Sequence, residues 1–213
     1  TLGTFTPPDA SVNMTGNVTA TSLTERSLWS DTLFSETTVE FNEYDTLVSP
    51  RGNAVMELLP ETTRGNFFNR QRRDTTTFQL VESVSGTSLR GGWLQMFKGG
   101  VDLLHSRFNG TSRSRPVLIR DSNGTLVRRL DFTSPTTTQR VVATDVALFA
   151  QDRIQPNDRF YIELGARLDR DGVLGRLNMT PRVGTAVLLN PEGTSVIRSG
   201  YGIFYERTPS AAG

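Results

Sequence analysis

The chain has no cysteine and a single histidine. The first absence excludes disulfides and thiolate metal sites, and the second leaves carboxylates as the only plentiful metal ligands. No run of about 18 apolar residues occurs, so no membrane-spanning helix is encoded. An excess of one charge is missing too: 23 basic residues face 22 acidic ones, for a net charge of +1. Such balance gives no broad pull toward nucleic acid, and no nucleic-acid partner is expected. Residues 1–9 lack the basic start and apolar centre of a signal peptide, and residue 1 is not methionine. The expectation is an excerpt from a longer exported protein whose signal lies upstream.

Helical periodicity is nearly absent, and alternation with a period of two is abundant. Between 159 and 170, Phe160, Ile162, Leu164, Ala166 and Leu168 share one face, while Tyr161, Glu163, Gly165, Arg167 and Asp169 share the other. Successive strand side chains point to opposite sides, so this segment separates two solvents. Residues 182–190 repeat the pattern. Residues 195–207 place Ile197, Tyr201 and Tyr205 together, opposite Arg198, Gly200, Gly202 and Glu206. Further strands are predicted over 17–29, 32–48, 75–83, 93–108 and, less cleanly split, 139–154.

Turn chemistry separates these segments. Residues 155–158 (Gln-Pro-Asn-Asp) and 191–193 (Pro-Glu-Gly) read as tight turns, 170–179 as a longer loop, and 86–92 as the link between the strands at 75–83 and 93–108. Asn123-Gly124 between the apolar runs 116–120 and 125–132 is a hairpin signal inside a long loop. A second long loop spans 49–73 and carries Arg70, Arg72 and Arg73. Short turns alternating with long loops, and strands apolar on one face only, describe an all-β, antiparallel, up-and-down transmembrane barrel. Long loops and cut-looking ends predict an open arc of a larger barrel rather than a closed one of about eight strands.

Candidate chemistry is sparse. His105 could serve a catalytic set with Asp102 or Ser106, but neighbouring strand residues face apart, so no catalytic residue is expected. Asp169, Asp171 and Gly172 faintly resemble a calcium loop but lack the later glutamate, so no metal is expected. Gly200 and Gly202 lack the strand–turn–helix setting of a dinucleotide fingerprint, and no cofactor is expected. Arg70, Arg72 and Arg73 are candidates to contact an anionic ligand. Phe160, Ile162, Leu164, Ala166 and Leu168 are candidate lipid-facing residues, and Tyr201 and Tyr205 a candidate aromatic girdle. Asn-x-Thr triplets at Asn13, Asn17, Asn109, Asn123 and Asn178 are read as turn chemistry in a threonine-rich chain.

Residues 146–209 carry, in order, FAQD, ELGARLD, PRVG and RSGYGIFYERTP; FKGGVDLLHS and ETTRGNFFNRQRRDTTTFQ lie upstream. This succession resembles the barrel of TonB-dependent receptors, especially the group with a carboxypeptidase-regulatory-like N-terminal domain. The resemblance implies that residues 1–213 are part of one such barrel, with the plug and remaining strands absent. It implies a place in the bacterial outer membrane, lipid around the wall, a plug from the same parent chain in the lumen, and the TonB complex reached through the missing N-terminal region. The implied function is uptake of a large ligand: a siderophore, a cobalamin-like compound or a glycan. A passive porin-like barrel and a soluble β-sandwich binding module remain the alternatives.

Overall fold

The computed structural model describes residues 5–190, 192 and 194–206. Among these the chain is almost wholly β, with one turn of 3-10 helix at Pro8–Ala10 and no α-helix. Eight strands form one open antiparallel sheet: β1 (Val12–Ser30), β2 (Leu33–Pro50), β5 (Asn69–Arg90), β6 (Trp93–Ser114), β9 (Thr136–Asn157), β10 (Phe160–Arg170), β11 (Leu177–Leu188) and β12 (Val196–Gly202). They lie side by side in chain order, with β1 and β12 at the edges, as the alternation predicts for an up-and-down arc. Four short strands, β3 (Met56–Leu58), β4 (Thr63–Arg64), β7 (Val117–Arg120) and β8 (Leu126–Leu130), make a second sheet in the order β4-β3-β7-β8.

The chain divides into two compact units. The first comprises 1–19, 42–76 and 107–141 and holds the small sheet. The hairpin expected around Asn123-Gly124 is present: β7 and β8 pair antiparallel, and Gly124 takes a φ of 82°. The loop at 49–73 is more ordered than its composition suggests. It contains β3 and β4, and β3 runs parallel to β7. Glu57 and Arg120, neighbours across that pairing, form an ion pair at 2.8 Å.

The second unit comprises 20–41, 77–106 and 142–213. It differs from three sequence expectations, two of them about turns. The link between β5 and β6 is the pair Gly91-Gly92, not 86–92. Both glycines have positive φ (60° and 81°), the geometry whose twist matches a two-residue hairpin. Gly86 instead lies within β5, under the Phe97 ring. The turn after β9 is Asp158-Arg159, not 155–158. Gln155 and Pro156 belong to β9 at a bulge, where Asn157 pairs Phe160 and Ile154 pairs Ile162. A proline, having no N–H to donate, is tolerated at such an unpaired position. The last strand ends at Gly202, short of the expected 207, and residue 207 lies outside the described residues. Of the expected turn at 191–193, only Glu192 is described, and it lies in a turn.

Connections after β1, β5 and β9 have two residues, whereas 51–68 and 115–135 are long. The pattern fades at the end, where 171–176 and 189–195 are of similar length.

Candidate functional site: a two-faced wall

Register fixes the two faces of β9–β12. Leu164 pairs Val183 on one side and Asp152 on the other, and Val183 pairs Tyr201. Paired residues share a face. That face therefore carries Leu148, Ala150, Ile162, Leu164, Ala166, Leu168, Met179, Val183, Ile197 and Tyr201, with Phe160 joining through Val187. Nothing covers it. Leu164 is 47% exposed, Met179 59% and Tyr201 72%. In a soluble sandwich these side chains would pack against a second sheet at core density. Their exposure is not that of a sandwich core. Asp152 breaks the apolar run, and its Oδ1 is buried without a hydrogen-bond partner.

The opposite face is a polar ladder. Arg153 and Glu163, paired across β9 and β10, meet at 2.8 Å, and the Arg153 guanidinium lies 4.4 Å from the Tyr161 ring centroid. Arg182 donates to Gln151 Oε1 at 2.7 Å. Arg167 donates to Asp102 Oδ2 and to Asp169 Oδ1, each at 2.8 Å, while Gln79 donates to Asp102 Oδ1 at 2.7 Å. Thus β5, β6, β9, β10 and β11 all contribute to one hydrogen-bonded surface. Beside it, a concavity of about 360 Å3 is lined by Asp102, Arg167, Asp169, Thr180, Tyr205 and Glu206.

The candidate residues fall out unevenly. Phe160, Ile162, Leu164, Ala166 and Leu168 share the uncovered apolar face. Tyr201 lies on it too, whereas Tyr205 follows the end of β12 and lines the charged concavity. Strand alternation stops at Gly202, so the spacing that grouped the two tyrosines does not apply. Arg70, Arg72 and Arg73 stand on β5, not on a loop. Alternation also splits them. Arg72 reaches Asp74 and Asp45, both at 3.3 Å, whereas Arg73 donates to Gln71 on the other face. His105 Nδ1 lies 2.8 Å from Thr144 Oγ1, and Asp102 accepts from Arg167 and Gln79. Asp171 Oδ1 accepts from the Val173 and Leu174 N–H groups and shapes the β10–β11 turn.

Sequence reasoning passed over Trp29 and Trp93. Trp29 sits just before the turn at 31–32 and Trp93 just after Gly91-Gly92, and they are 69% and 52% exposed. Exposed tryptophans at strand ends are a signal for a membrane interface, and their distance from the short turns was readable.

An uncovered apolar face backed by a charged, hydrogen-bonded one defines a wall of the outer-membrane barrel class. The family is set by a second observation. The model for the β-barrel of TonB-dependent receptor-like proteins matches residues 3–210, and the chain belongs to that family. Among solved structures it is similar to the outer membrane transporter YddB from Escherichia coli, with a TM-score of 0.73 and 16% identity over 93% of this chain and 27% of that one. It is also similar to the RagAB peptide importer in a closed-closed state, with a TM-score of 0.52 and 11% identity over 90% of this chain and 23% of the other. The chain spans about a quarter of the length of those proteins. No curated protein sequence matches it. Family and neighbours are receptors and transporters rather than enzymes, and they point to the outer membrane.

Proposed function

We propose that this chain forms part of the wall of a TonB-dependent importer in the outer membrane of a Gram-negative bacterium. The observation that carries the reading is the division of β9–β12 into an uncovered apolar face and a ladder of arginines and carboxylates. Lipid covers the first face, and Phe160, Ile162, Leu164, Ala166 and Leu168 lie against it. Tyr201 joins an interfacial girdle, with Trp29 and Trp93 near the short turns. The second face lines a lumen occupied by a plug from the same parent protein. The outer edges of β1 and β12 pair with further strands of that protein, because unpaired backbone groups in hydrocarbon each cost several kcal/mol.

Strand length supports a tall wall. β5 and β6 each have 22 residues, roughly twice the 9–11 or so that a tilted strand needs to cross the bilayer. The wall therefore extends beyond the membrane, where Arg70, Arg72 and Arg73 are placed to meet incoming ligand. The ligand belongs to a class too large for passive diffusion: a siderophore, a cobalamin-like compound or a glycan.

Uptake by the intact protein tests the reading. Cells carrying it are given labelled candidates of each class, with and without a functional TonB. Accumulation that needs both the protein and TonB is expected. Accumulation independent of TonB would replace the importer with a passive pore, and recovery of the protein in soluble fractions would refute the membrane wall itself.

A further inference from the structure

Within the first unit, a concavity of about 290 Å3 is lined by Arg70, Arg113 and Arg115 together with Ser49, Gly52 and Asn53, and no carboxylate lines it. Among the described residues six other arginines form ion pairs: Arg26 with Glu36, Arg72 with Asp45 and Asp74, Arg120 with Glu57, Arg129 with Asp131, Arg153 with Glu163, and Arg167 with Asp102 and Asp169. Among the described residues no ion pair engages Arg70, Arg113 or Arg115. Three arginines lining one hollow carry like charges, and a bound anion relieves their repulsion.

The three are not equivalent. Arg115 is half-buried, and its Nη2 donates to the Gly52 carbonyl at 3.2 Å and the Phe67 carbonyl at 3.1 Å. Those bonds fix the plane of the guanidinium. A guanidinium has five N–H donors, and the hydrogens on Nε and Nη1 remain without a partner among the described residues. Arg70 and Arg113 are exposed and make no hydrogen bond to a described residue. One anchored fork and two free ones suit a tetrahedral oxyanion carrying more than one charge, because each fork can take two oxygens.

We infer that Arg70, Arg113 and Arg115 form a binding site for a phosphomonoester-type oxyanion. Serine and asparagine side chains on the rim supply neutral donors. The phosphate arrives either on a lipid headgroup or on a dissolved ligand, and the recognition chemistry is the same for both. Arg70 is shared with the ligand-facing arginines proposed above, but binding at this site is read without uptake, so the two readings fail separately.

The test uses the intact protein purified in detergent and two probes. Inorganic phosphate, followed by calorimetry, stands for the dissolved source. Nanodiscs of phosphatidylcholine with one fifth phosphatidic acid (about 20%, a working composition), followed by native mass spectrometry of retained lipid, stand for the headgroup source. Arg70→Gln with Arg113→Gln is the variant, because both side chains are exposed; Arg115 is left in place because it braces the backbone. Arg26→Gln is the control. Saturable binding of either probe that weakens at least tenfold in the double variant, is unchanged in the control and falls with added salt is the expected result. The probe that binds identifies the source. A variant that loses heat-modifiable mobility on gels is replaced by Arg70→Lys with Arg113→Lys, which keeps the charge but loses the fork and is expected to bind several-fold more weakly. Failure of both probes to bind, or equal binding by wild type and variants, overturns the site.

Discussion

Arg167 on β10 holds Asp102 on β6 at 2.8 Å, reaching across β9, which lies between them in the sheet. Asp102 is buried, and Gln79 satisfies its other oxygen. Removing the arginine would take its ion pair away from a buried carboxylate. Breaking such a pair from one side costs about 3 kcal/mol or somewhat more. Arg167→Met should therefore lower the stability of the detergent-folded protein by that order, measured by urea titration of its heat-modifiable form. Arg26→Met, which loses an exposed pair with Glu36, should cost about 0–1 kcal/mol. Equal losses for the two would mean that Asp102 is not held as described.

The two-faced wall makes opposite predictions for residues on the same hairpin. Leu164 belongs to the uncovered apolar face, and Asn178 to the polar one, paired with Asp169. Arginine at Leu164 should cost about 2–4 kcal/mol if lipid covers that face near the midplane. Arginine at Asn178, beside Asp169, should cost under about 1 kcal/mol, as a charge does on a solvated surface. Folding into lipid vesicles under a denaturant gradient reads both. A neutral Leu164→Arg would place water, not lipid, against that face.

The faces were legible because a period of two survives wherever two solvents differ, as it does from Phe160 to Leu168. Boundaries were less so. Gly86 looked like a turn residue, yet it sits in a strand because Phe97 fills the space above it. Pro156 looked like a turn residue for the same kind of reason, and a bulge accommodates it instead. Arg70 to Arg73 read as loop because polar residues occupy both faces there. A strand of 22 residues outruns the bilayer, and beyond it neither face needs to be apolar. The parallel pairing of β3 with β7 joins segments about sixty positions apart, and no local pattern announces it. The arginine-lined concavity was half visible: Arg70 stood out, but Arg113 and Arg115 reach it only because the long β5–β6 hairpin brings its far end back beside the start of β5.

Gly100 on β6 lies close against the backbone of β5. A Cβ there would lie 2.1 Å from the Glu82 carbonyl oxygen and 2.9 Å from the Ser83 Cα, both backbone atoms that cannot swing aside. Gly100→Ala should destabilise by about 1–3 kcal/mol through forced backbone movement. Gly184 offers the contrast. Its Cβ would meet nothing nearer than the Glu163 Cβ at 3.9 Å, and Gly184→Ala should be neutral or stabilising by about 0.4–1 kcal/mol through the unfolded chain. The same urea titration separates them, and a Gly100→Ala protein as stable as wild type would show that β5 and β6 sit farther apart.

Gly91 and Gly92 form the turn between β5 and β6, both at positive φ, with open space where a side chain would go. Any penalty there belongs to the backbone alone. Left-handed backbone costs an ordinary residue about 1–2 kcal/mol, and asparagine less because its short amide bonds locally. Gly91→Asn should therefore fold nearly as well as wild type, Gly91→Ala should lose about 1 kcal/mol, and Gly91→Val, branched at Cβ, should lose most. The yield of heat-modifiable protein after refolding ranks the three. Because the turn sets which residues of β5 face which of β6, a valine variant indistinguishable from wild type would remove the two-residue hairpin and, with it, the register that brings Gln79 to Asp102.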